Sequence, residues 1–357
     1  MKIGLVARAD QSGLANQTLE FYRHIKPHRT LVMDLSAVAD PVDHCNKEVY
    51  LDRYQQGEVM HFKGLVPTEP VMYEFLDGLD VIFGAETFYT WDMLKIANSK
   101  KIASVLQYNY EFLDYLVKPN LPQPTLFASP SPWKYNNLKF DNKLALPVPI
   151  ATDRFSPAIP PHLPKNFLHV VGRPAIHDRN GTIDLLKALR FIRSNITLTI
   201  CCQRPSYVTD IMARHRINPP RNINLVLQGP KKNYWENYSD QHVAILPRRY
   251  GGLCLSLNEA LGNHIPTVMP NISPNNQWLP KTWLTPATEK ATLAARDLIT
   301  VYQTHPQHIA GKIDNITTSS SWYREAHETA KKISEEYSWA TLKDRYLLAL
   351  QRAIDMV

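Results

Sequence analysis

Leu246-Pro-Arg-Arg-Tyr-Gly-Gly-Leu-Cys-Leu-Ser-Leu-Asn-Glu-Ala-Leu-Gly-Asn-His-Ile-Pro-Thr-Val268 reads as a strand end, a glycine-containing loop, a helix, a proline break and a second strand. A unit of this kind is the crossover of a parallel α/β sheet. Gly251 and Gly252 let the backbone approach a ligand closely and expose its N–H groups. A helix beginning near Ser256 points its positive end at the loop, a setting suited to phosphate. Glu259, in the first turn, is within reach of ribose hydroxyls. Ser256-x-x-Glu259 is equally the spacing of a capping box, in which the carboxylate only satisfies a backbone N–H.

The same alternation fills the chain. Residues 2–7, 30–35, 81–84, 102–106, 126–128 and 144–148 read as strands. Leu19, Tyr22 and Ile25 fall at helical spacing before Pro27, and residues 91–97 read as a helix. Further on, strands are expected at 167–171, 197–202, 224–227, 243–246 and 266–269, and helices at 182–192 and 256–261. The tail from Thr288 reads as mostly helical. Pro147, Pro149, Pro157, Pro160, Pro161 and Pro164 crowd one junction and mark a stiff linker. The expectation is one α/β domain over 1–155, a second over 156–335 and a C-terminal helix over 336–357. Ligands of such sheets bind at the C-terminal strand ends, which places the expected site in a cleft between the domains.

At 357 residues and 44% hydrophobic, the chain is long enough for two cores and too apolar to be disordered. No run approaches the ~20 apolar residues of a membrane span. The N-terminal run is too short for a secretion signal, so a cytoplasmic protein is expected. Cys45, Cys201, Cys202 and Cys254 form neither a Cys-x-x-Cys pair nor a disulfide scaffold and read as reduced thiols. The net charge of +7 is uneven: 14 basic against 5 acidic residues over 158–249, 8 against 4 over 95–157, and 8 against 14 over 1–94. A basic middle points to a partner bearing phosphates, a nucleotide or a nucleic acid.

With its surroundings, the 246–268 stretch resembles the donor site of retaining GT-B glycosyltransferases, the large glycogen-synthase-like group that uses nucleotide sugars. That pattern is Glu-Gly-Phe-Gly-Leu, three residues, Glu-Ala, a helix and Gly-x-Pro-Val. Gly252-Leu-Cys-Leu255, Glu259-Ala260 and His264-Ile-Pro-Thr-Val268 match it in kind. Gly251 stands where the family has its first glutamate, which helps hold the transferred sugar. Pro147-Val-Pro-Ile-Ala-Thr-Asp-Arg-Phe-Ser-Pro157 resembles the family's interdomain segment. Val171-Gly-Arg-Pro-Ala-Ile-His-Asp-Arg-Asn-Gly181 resembles the Gly-Arg…Lys-Gly loop whose two cations grip the donor diphosphate. Arg173 matches the first cation, and Arg179 stands beside Asn180 at the second. Leu225-Val-Leu-Gln-Gly229, with Lys231 and Lys232 after it, is similar to the strand before the base-reading loop. Tyr337-Ser-Trp-Ala-Thr-Leu342 into Tyr346 looks like the closing helix that crosses back to the first domain. In the first half, Ser12-Gly13-Leu14 resembles a glycine loop lining the cleft. Asn109 stands where a functional His is common, and an amide cannot act as a base.

The resemblance implies a GT-B α/β fold, two Rossmann-like domains facing a cleft, and a hexosyltransferase that is retaining and metal-independent. The absence of any Asp-x-Asp agrees with charge stabilisation by arginine, helix dipole and backbone N–H. A UDP-sugar, UDP-glucose for example, is the favoured co-substrate, with no tightly bound cofactor. The implied catalytic set is Arg173, Glu259, Asn109 and Glu86. The donor set is Gly13, Arg173, Arg179, Gly229, Lys231, Tyr250, Gly251, Gly252, Leu253 and Glu259. The acceptor set is Tyr108, Tyr110 and Glu111, and no metal is implied. The acceptor hydroxyl would pass its proton to the departing phosphate oxygen.

The chain, residues 1–36 above all, also looks like bacteriophage glycosyltransferases, some of which glycosylate hydroxymethylated pyrimidines in DNA. That likeness implies DNA modification in a host cytoplasm, on double-stranded DNA carrying bases such as 5-hydroxymethylcytosine. Tyr108, Tyr110, Phe112, Tyr115, Trp133 and Tyr135 are then candidates to stack on a flipped base, core packing being the alternative for most of them. DNA is preferred over a saccharide or other small acceptor. The remaining readings are a nucleotide-sugar binder without catalysis and a nucleotide-sugar epimerase of the same fold.

Overall fold

A computed structural model describes residues 1–38, 48–174 and 177–357; Cys45 lies outside them. The chain divides into two compact units. The first comprises Met1–Val148, Ala295–Asp297 and Trp339–Val357, and the second Pro149–Ala294 and Leu298–Ser338.

In the first unit, β1 (Ile3–Arg8), β2 (Arg29–Asp34), β3 (Glu58–Lys63), β4 (Val81–Ala85), β5 (Ala103–Gln107), β6 (Leu126–Ser129) and β7 (Lys143–Ala145) form one sheet. Its order is β3-β2-β1-β4-β5-β6-β7, and every pair is parallel. Helices α1 (Gly13–Ile25), α2 (Glu69–Leu76) and α3 (Trp91–Ser99) make crossovers. Covered strands are mostly apolar, and β4 and β5 are buried at every position, with Ser104 and Gln107 the polar exceptions in β5. Strand β3 is different. It is an edge strand with no buried residue, so it lacks the apolar run that marks the others in the sequence.

The second unit repeats the plan. It holds β8 (Asn166–Gly172), α4 (Thr182–Ala188), β9 (Ile196–Cys202), α5 (Ser206–Arg214), β10 (Ile223–Gln228), β11 (Val243–Ile245), α6 (Leu255–Gly262), β12 (Thr267–Pro270) and β13 (Leu284–Thr285). The parallel order is β10-β9-β8-β11-β12-β13. Leu168, Leu185, Leu186, Leu198, Ile200, Val243 and Ile313 are fully buried on its faces.

The tail from Thr288 is mostly helical, as expected, but it opens on two strands. Residues 288–303 form an antiparallel hairpin, β14 (Thr288–Ala294) and β15 (Leu298–Gln303). The run Leu298-Ile-Thr-Val-Tyr302 is rich in β-branched residues and alternates: Ile299 and Val301 are buried while Leu298 is exposed. The tail turns helical only after it, as α7 (Pro306–Thr317), α8 (Ser320–Glu336) and α9 (Trp339–Ile354).

Helix α9 belongs to the first unit. Its Trp339 and Tyr346 pack edge-on against Phe21. The buried Gln107 amide joins that packing: it donates to the Tyr346 hydroxyl at 2.8 Å and to the Leu146 carbonyl at 2.7 Å, and its oxygen accepts from Gln17 at 2.7 Å. The Tyr346 hydroxyl passes its own proton to the Pro147 carbonyl at 3.1 Å. A buried amide with these partners filled fixes α9 against the ends of β5 and β7. Among the described residues no helix is long and apolar enough to cross a membrane.

Candidate functional site

Both sheets reverse their winding once, between β1 and β4 and between β8 and β11. The crossovers leave on opposite faces there, and the strand ends open a crevice, the usual ligand position in such sheets. In the second unit β8 and β11 pair only at Phe167–Val243 and Leu168–Ala244 and then part. His169 bridges the gap. Its Nδ1 lies 2.8 Å from the Ile245 carbonyl and its Nε2 lies 2.9 Å from the Thr182 hydroxyl. Complete burial lowers its pKa to about 4, so the ring is neutral at physiological pH. Nδ1 then carries the proton, because a carbonyl only accepts, and Nε2 accepts from Thr182.

Two loops meet above this histidine. The first follows β8, with residues 175 and 176 outside the described part. Asp178 is buried and caps α4, accepting from the N–H groups of Thr182 at 2.9 Å and Ile183 at 3.0 Å. Desolvation raises its pKa to about 6 against the pull of those two bonds. Gly181 has φ +69°, and a Cβ there would stand 2.0 Å from the Pro247 carbonyl oxygen. The two loops therefore touch backbone to backbone at a point only glycine fits.

The second loop, residues 247–254, carries the arginines. Arg249 is structural: its backbone N–H donates to the Arg179 carbonyl at 2.8 Å. Its guanidinium reaches the carbonyls of Tyr302 at 3.0 Å and His177 at 2.9 Å. Arg248 donates through Nε to the Tyr250 carbonyl at 3.0 Å. Arg179 lies over the Tyr250 ring, 5.5 Å from its centre. Gly251 has φ +112°, and the point where its Cβ would sit is 2.6 Å from Arg179 Nη2 and 2.7 Å from Arg248 Nη2. Arg173 is exposed just past the end of β8. Arg179, Arg248, Tyr250 and Gly251 thus stand together in the loops that follow β8 and β11, with Gly252 and Leu253 next in the second loop.

Helix α6 starts at Leu255. Its cap residue, Cys254, makes no side-chain hydrogen bond to it. Ser256 lies inside the first turn rather than at the cap, so the capping-box geometry is not formed. Glu259 instead accepts a short hydrogen bond from the fully buried Tyr238 hydroxyl. That phenol's pKa is raised well above its ordinary value, by burial first and by the Glu259 charge second. Gly229 and Lys231 follow the edge strand β10, and the Lys231 ammonium donates to the Glu236 carbonyl at 2.9 Å within its own loop.

In the first unit, Gly13 opens α1, capped by Ser12, whose hydroxyl accepts from the Ala15 N–H at 3.1 Å. Glu86 and Asn109 end β4 and β5 and meet: the amide donates to the carboxylate at 3.1 Å. Glu86 holds φ +65°, a left-handed backbone that turns the chain out of the sheet. Tyr108, 1% exposed, packs edge-on to Phe127, and Tyr110, 4% exposed, packs edge-on to Trp133 and donates to Asp297 at 2.8 Å. Glu111, Tyr115 and Trp133 are buried as well, and only Phe112 of the proposed stacking group is exposed by more than half. Core packing accounts for Tyr108, Tyr110, Tyr115 and Trp133, which leaves these rings no open face for a base. The sequence reading missed His169, Asp178, Tyr238, Arg248 and Arg249. Of these, the Arg248-Arg249 pair beside the glycines was the one visible signal.

Among solved structures, the chain is similar to Anabaena Alr3699/HepE in complex with UDP: TM-score 0.70, 11% identity, 99% of this chain and all of that one. It is similar to the sucrose-phosphate synthase tll1590 from Thermosynechococcus elongatus: TM-score 0.67, 13% identity, 99% of this chain and all of that one. It also resembles S. aureus TarM, determined with fondaparinux, α-GlcNAc-glycerol and UDP, at TM-score 0.57 and 12% identity, covering 76% of this chain and 55% of that one. The fold these likenesses define is GT-B: two Rossmann-like units, with the C-terminal helix in the first. No family model matches the chain, and no curated protein does.

Proposed function

We propose that the chain is a UDP-sugar-dependent hexosyltransferase, retaining and metal-independent, with its donor site in the second unit. The observation that carries this reading is the set of arginines around a glycine loop at the β8–β11 crevice. A diphosphate there meets Arg173 and Arg179, whose planar forks match phosphate oxygens. The backbone N–H groups at the start of α6 add to them. Glu259, oriented by Tyr238, accepts from ribose hydroxyls. Charge building on the leaving diphosphate is met by groups already in place, which is how such sites lower the barrier. The departing phosphate oxygen takes the acceptor's proton, so Asn109 is not needed as a base. UDP in complexes of structural neighbours supports the nucleotide assignment.

For the acceptor, a saccharide or other small hydroxyl compound fits better than a flipped base. The rings that would stack on a base are packed inside the first unit, whereas Glu86 and Asn109 form a paired carboxylate and amide of the kind that binds hydroxyls. The test incubates the protein with UDP-sugars and either a saccharide panel, 5-hydroxymethylcytosine DNA or plain DNA. UDP release is followed with and without EDTA, and product linkage by NMR. A glycosylated saccharide with the donor's anomeric configuration is expected. Glycosylated nucleosides would restore the DNA reading, and no UDP release with any donor would sink the transferase.

A further inference from the structure

We propose that the second unit docks on a membrane surface of anionic phospholipid through the face where its strands begin, with Arg214, Arg216 and Arg221 at the centre. In a parallel sheet each crossover helix runs back against the strands, so the ends of α4 and α5 return to the strand starts, at the edge of the sheet away from the donor loops. Lys187 and Arg190 stand at the end of α4, Arg193 in the loop into β9, Arg214 and Arg216 at the end of α5, and Arg221 just before β10. These are six of the fourteen basic residues over 158–249, and a diphosphate at the other edge does not account for them. Packing brings the loops together: the Asn222 amide donates to the carbonyls of Ile192 at 3.0 Å and Ser194 at 2.9 Å. His215 lies close enough to Lys187 and Arg214 that their charges, after desolvation, lower its pKa. Of the six cations all but Lys187 are exposed, and among the described residues none of the six enters an ion pair. Two carboxylates nearby are engaged elsewhere. Asp314 accepts from the N–H groups of Arg193 at 3.0 Å and Ser194 at 2.9 Å, and the buried Asp184 accepts from Gln303 at 3.0 Å. Asp210 is exposed on α5, one turn before Arg214.

Arg216 stands where α5 stops. The Ile217 N–H donates to the Met212 carbonyl at 2.8 Å and the Arg216 N–H to the Ala213 carbonyl at 3.2 Å, a Schellman pattern whose left-handed position glycine usually fills. Here that position, at φ +50°, carries arginine, which keeps the strain and gains an exposed cation. Beside it lies a groove of about 540 Å³ lined by Thr209, Met212, Ala213, Arg216, Ile217 and Asn218. A phospholipid joins a phosphate to ester and acyl carbons, and so meets both the cations and the apolar side chains of this groove. A nucleic-acid strand brings phosphates but seeks aromatic faces for its bases. Phe191, the ring after Arg190, is half-buried and lies under that guanidinium, 4.6 Å from its centre.

The experiment is cosedimentation of the full chain with vesicles of phosphatidylcholine alone or with about one-third phosphatidylglycerol. Anionic vesicles should retain the protein, neutral ones should not, and ~0.5 M salt should release it by screening. Arg216→Gly should weaken retention about fivefold, the share of one charge near such a surface, with a melting temperature no lower than the wild type's, because the strain leaves with the side chain. Arg214→Gln/Arg216→Gly/Arg221→Gln should weaken it ~100-fold. If that variant does not fold, Arg216→Gly alone decides. Equal retention on neutral vesicles, none on anionic ones, or variants that sediment as the wild type does overturns the inference. Duplex DNA of ~30 base pairs that strips the protein from anionic vesicles at a phosphate concentration below the lipid's assigns the face to nucleic acid and overturns it as well. No nucleotide sugar enters the assay, so its outcome is separate from that of the UDP-sugar reading.

Discussion

Replacing Gly181 with alanine tests whether the two donor-site loops are held together by backbone contact. The residue sits at φ +69°, a region that costs an L-residue ~1–2 kcal/mol. The new Cβ would also stand 2.0 Å from the Pro247 carbonyl oxygen, with the carbonyl carbon at 2.8 Å. No rotamer change relieves a clash with backbone, so the loop carrying Pro247 must move, at a further ~1–3 kcal/mol typical of overpacking. Together these come to about 2–5 kcal/mol. A unit of this size loses ~2–4 °C per kcal/mol, so the second unit should melt about 5–15 °C lower. Gly172→Ala is the control, because Gly172 shares the left-handed backbone (φ +57°) and a Cβ there meets nothing within 4 Å. It should lose only the backbone part. Differential scanning calorimetry with and without UDP reads both variants, and Gly181→Ala should also bind UDP more weakly as its arginine loop shifts. Equal melting temperatures for the two variants would refute the interlock.

Arg173→Ala should lower turnover ~100-fold or more, the usual loss of one preorganised charge-stabilising group, with the melting temperature unchanged; wild-type rates would remove it from the site. Tyr238→Phe deletes the hydroxyl that orients Glu259 and should weaken nucleotide-sugar binding by about tenfold, the scale of one hydrogen bond to a charged group, as measured by calorimetric titration. His169 and Asp178 give opposing pH dependences. The histidine's folded pKa of about 4 lies below its ordinary 6.5, so the unfolded chain protonates first and stability falls as pH drops from 6.5 to 4. The aspartate's folded pKa of about 6 lies above its ordinary 3.8, so the folded chain holds the proton longer and stability falls as pH rises from 3.8 to 6. Asp178→Asn removes only the second slope. Its melting temperature should therefore climb more steeply than that of the wild type between pH 4 and 6, and equal slopes would count against the assignment.

The sheets were legible because covered parallel strands are mostly apolar, as in Val81-Ile-Phe-Gly-Ala85, and Ala103-Ser-Val-Leu-Gln107 admits Ser104 and Gln107 only with hydrogen-bond partners. Where that demand lapses, so does the signal. Glu58–Lys63 is an exposed edge strand, and Thr288–Ala294 is a hairpin strand with no buried residue, whose composition suits helix as well as strand. In the site, the glycines and Arg173 stand out by order along the chain. The partners of the side chains around them come from a distance. Tyr238 reaches Glu259 across 21 positions, and the Ile245 carbonyl meets His169 across 76. Local spacing left Glu259 open between a capping box and a ligand contact, and Tyr108 and Tyr110 open between stacking on a base and the core. Tertiary packing assigned the glutamate to a buried phenol and the tyrosines to the core.

The two crowded glycines differ in what surrounds them, and the difference sets how this site can evolve. At Gly181 the obstacle is a carbonyl of the main chain, which every amino acid carries, so no second change of residue type at the contact repairs a substitution. At Gly251 the obstacles are the ends of two long side chains, which shorter residues would withdraw. A side chain at 251 needs a shorter Arg248 or Arg179 first, and must still bear the left-handed backbone at φ +112°. Position 181 is held by the main chain itself, and 251 by side chains that can change, so only the second is open to a stepwise exchange of residues.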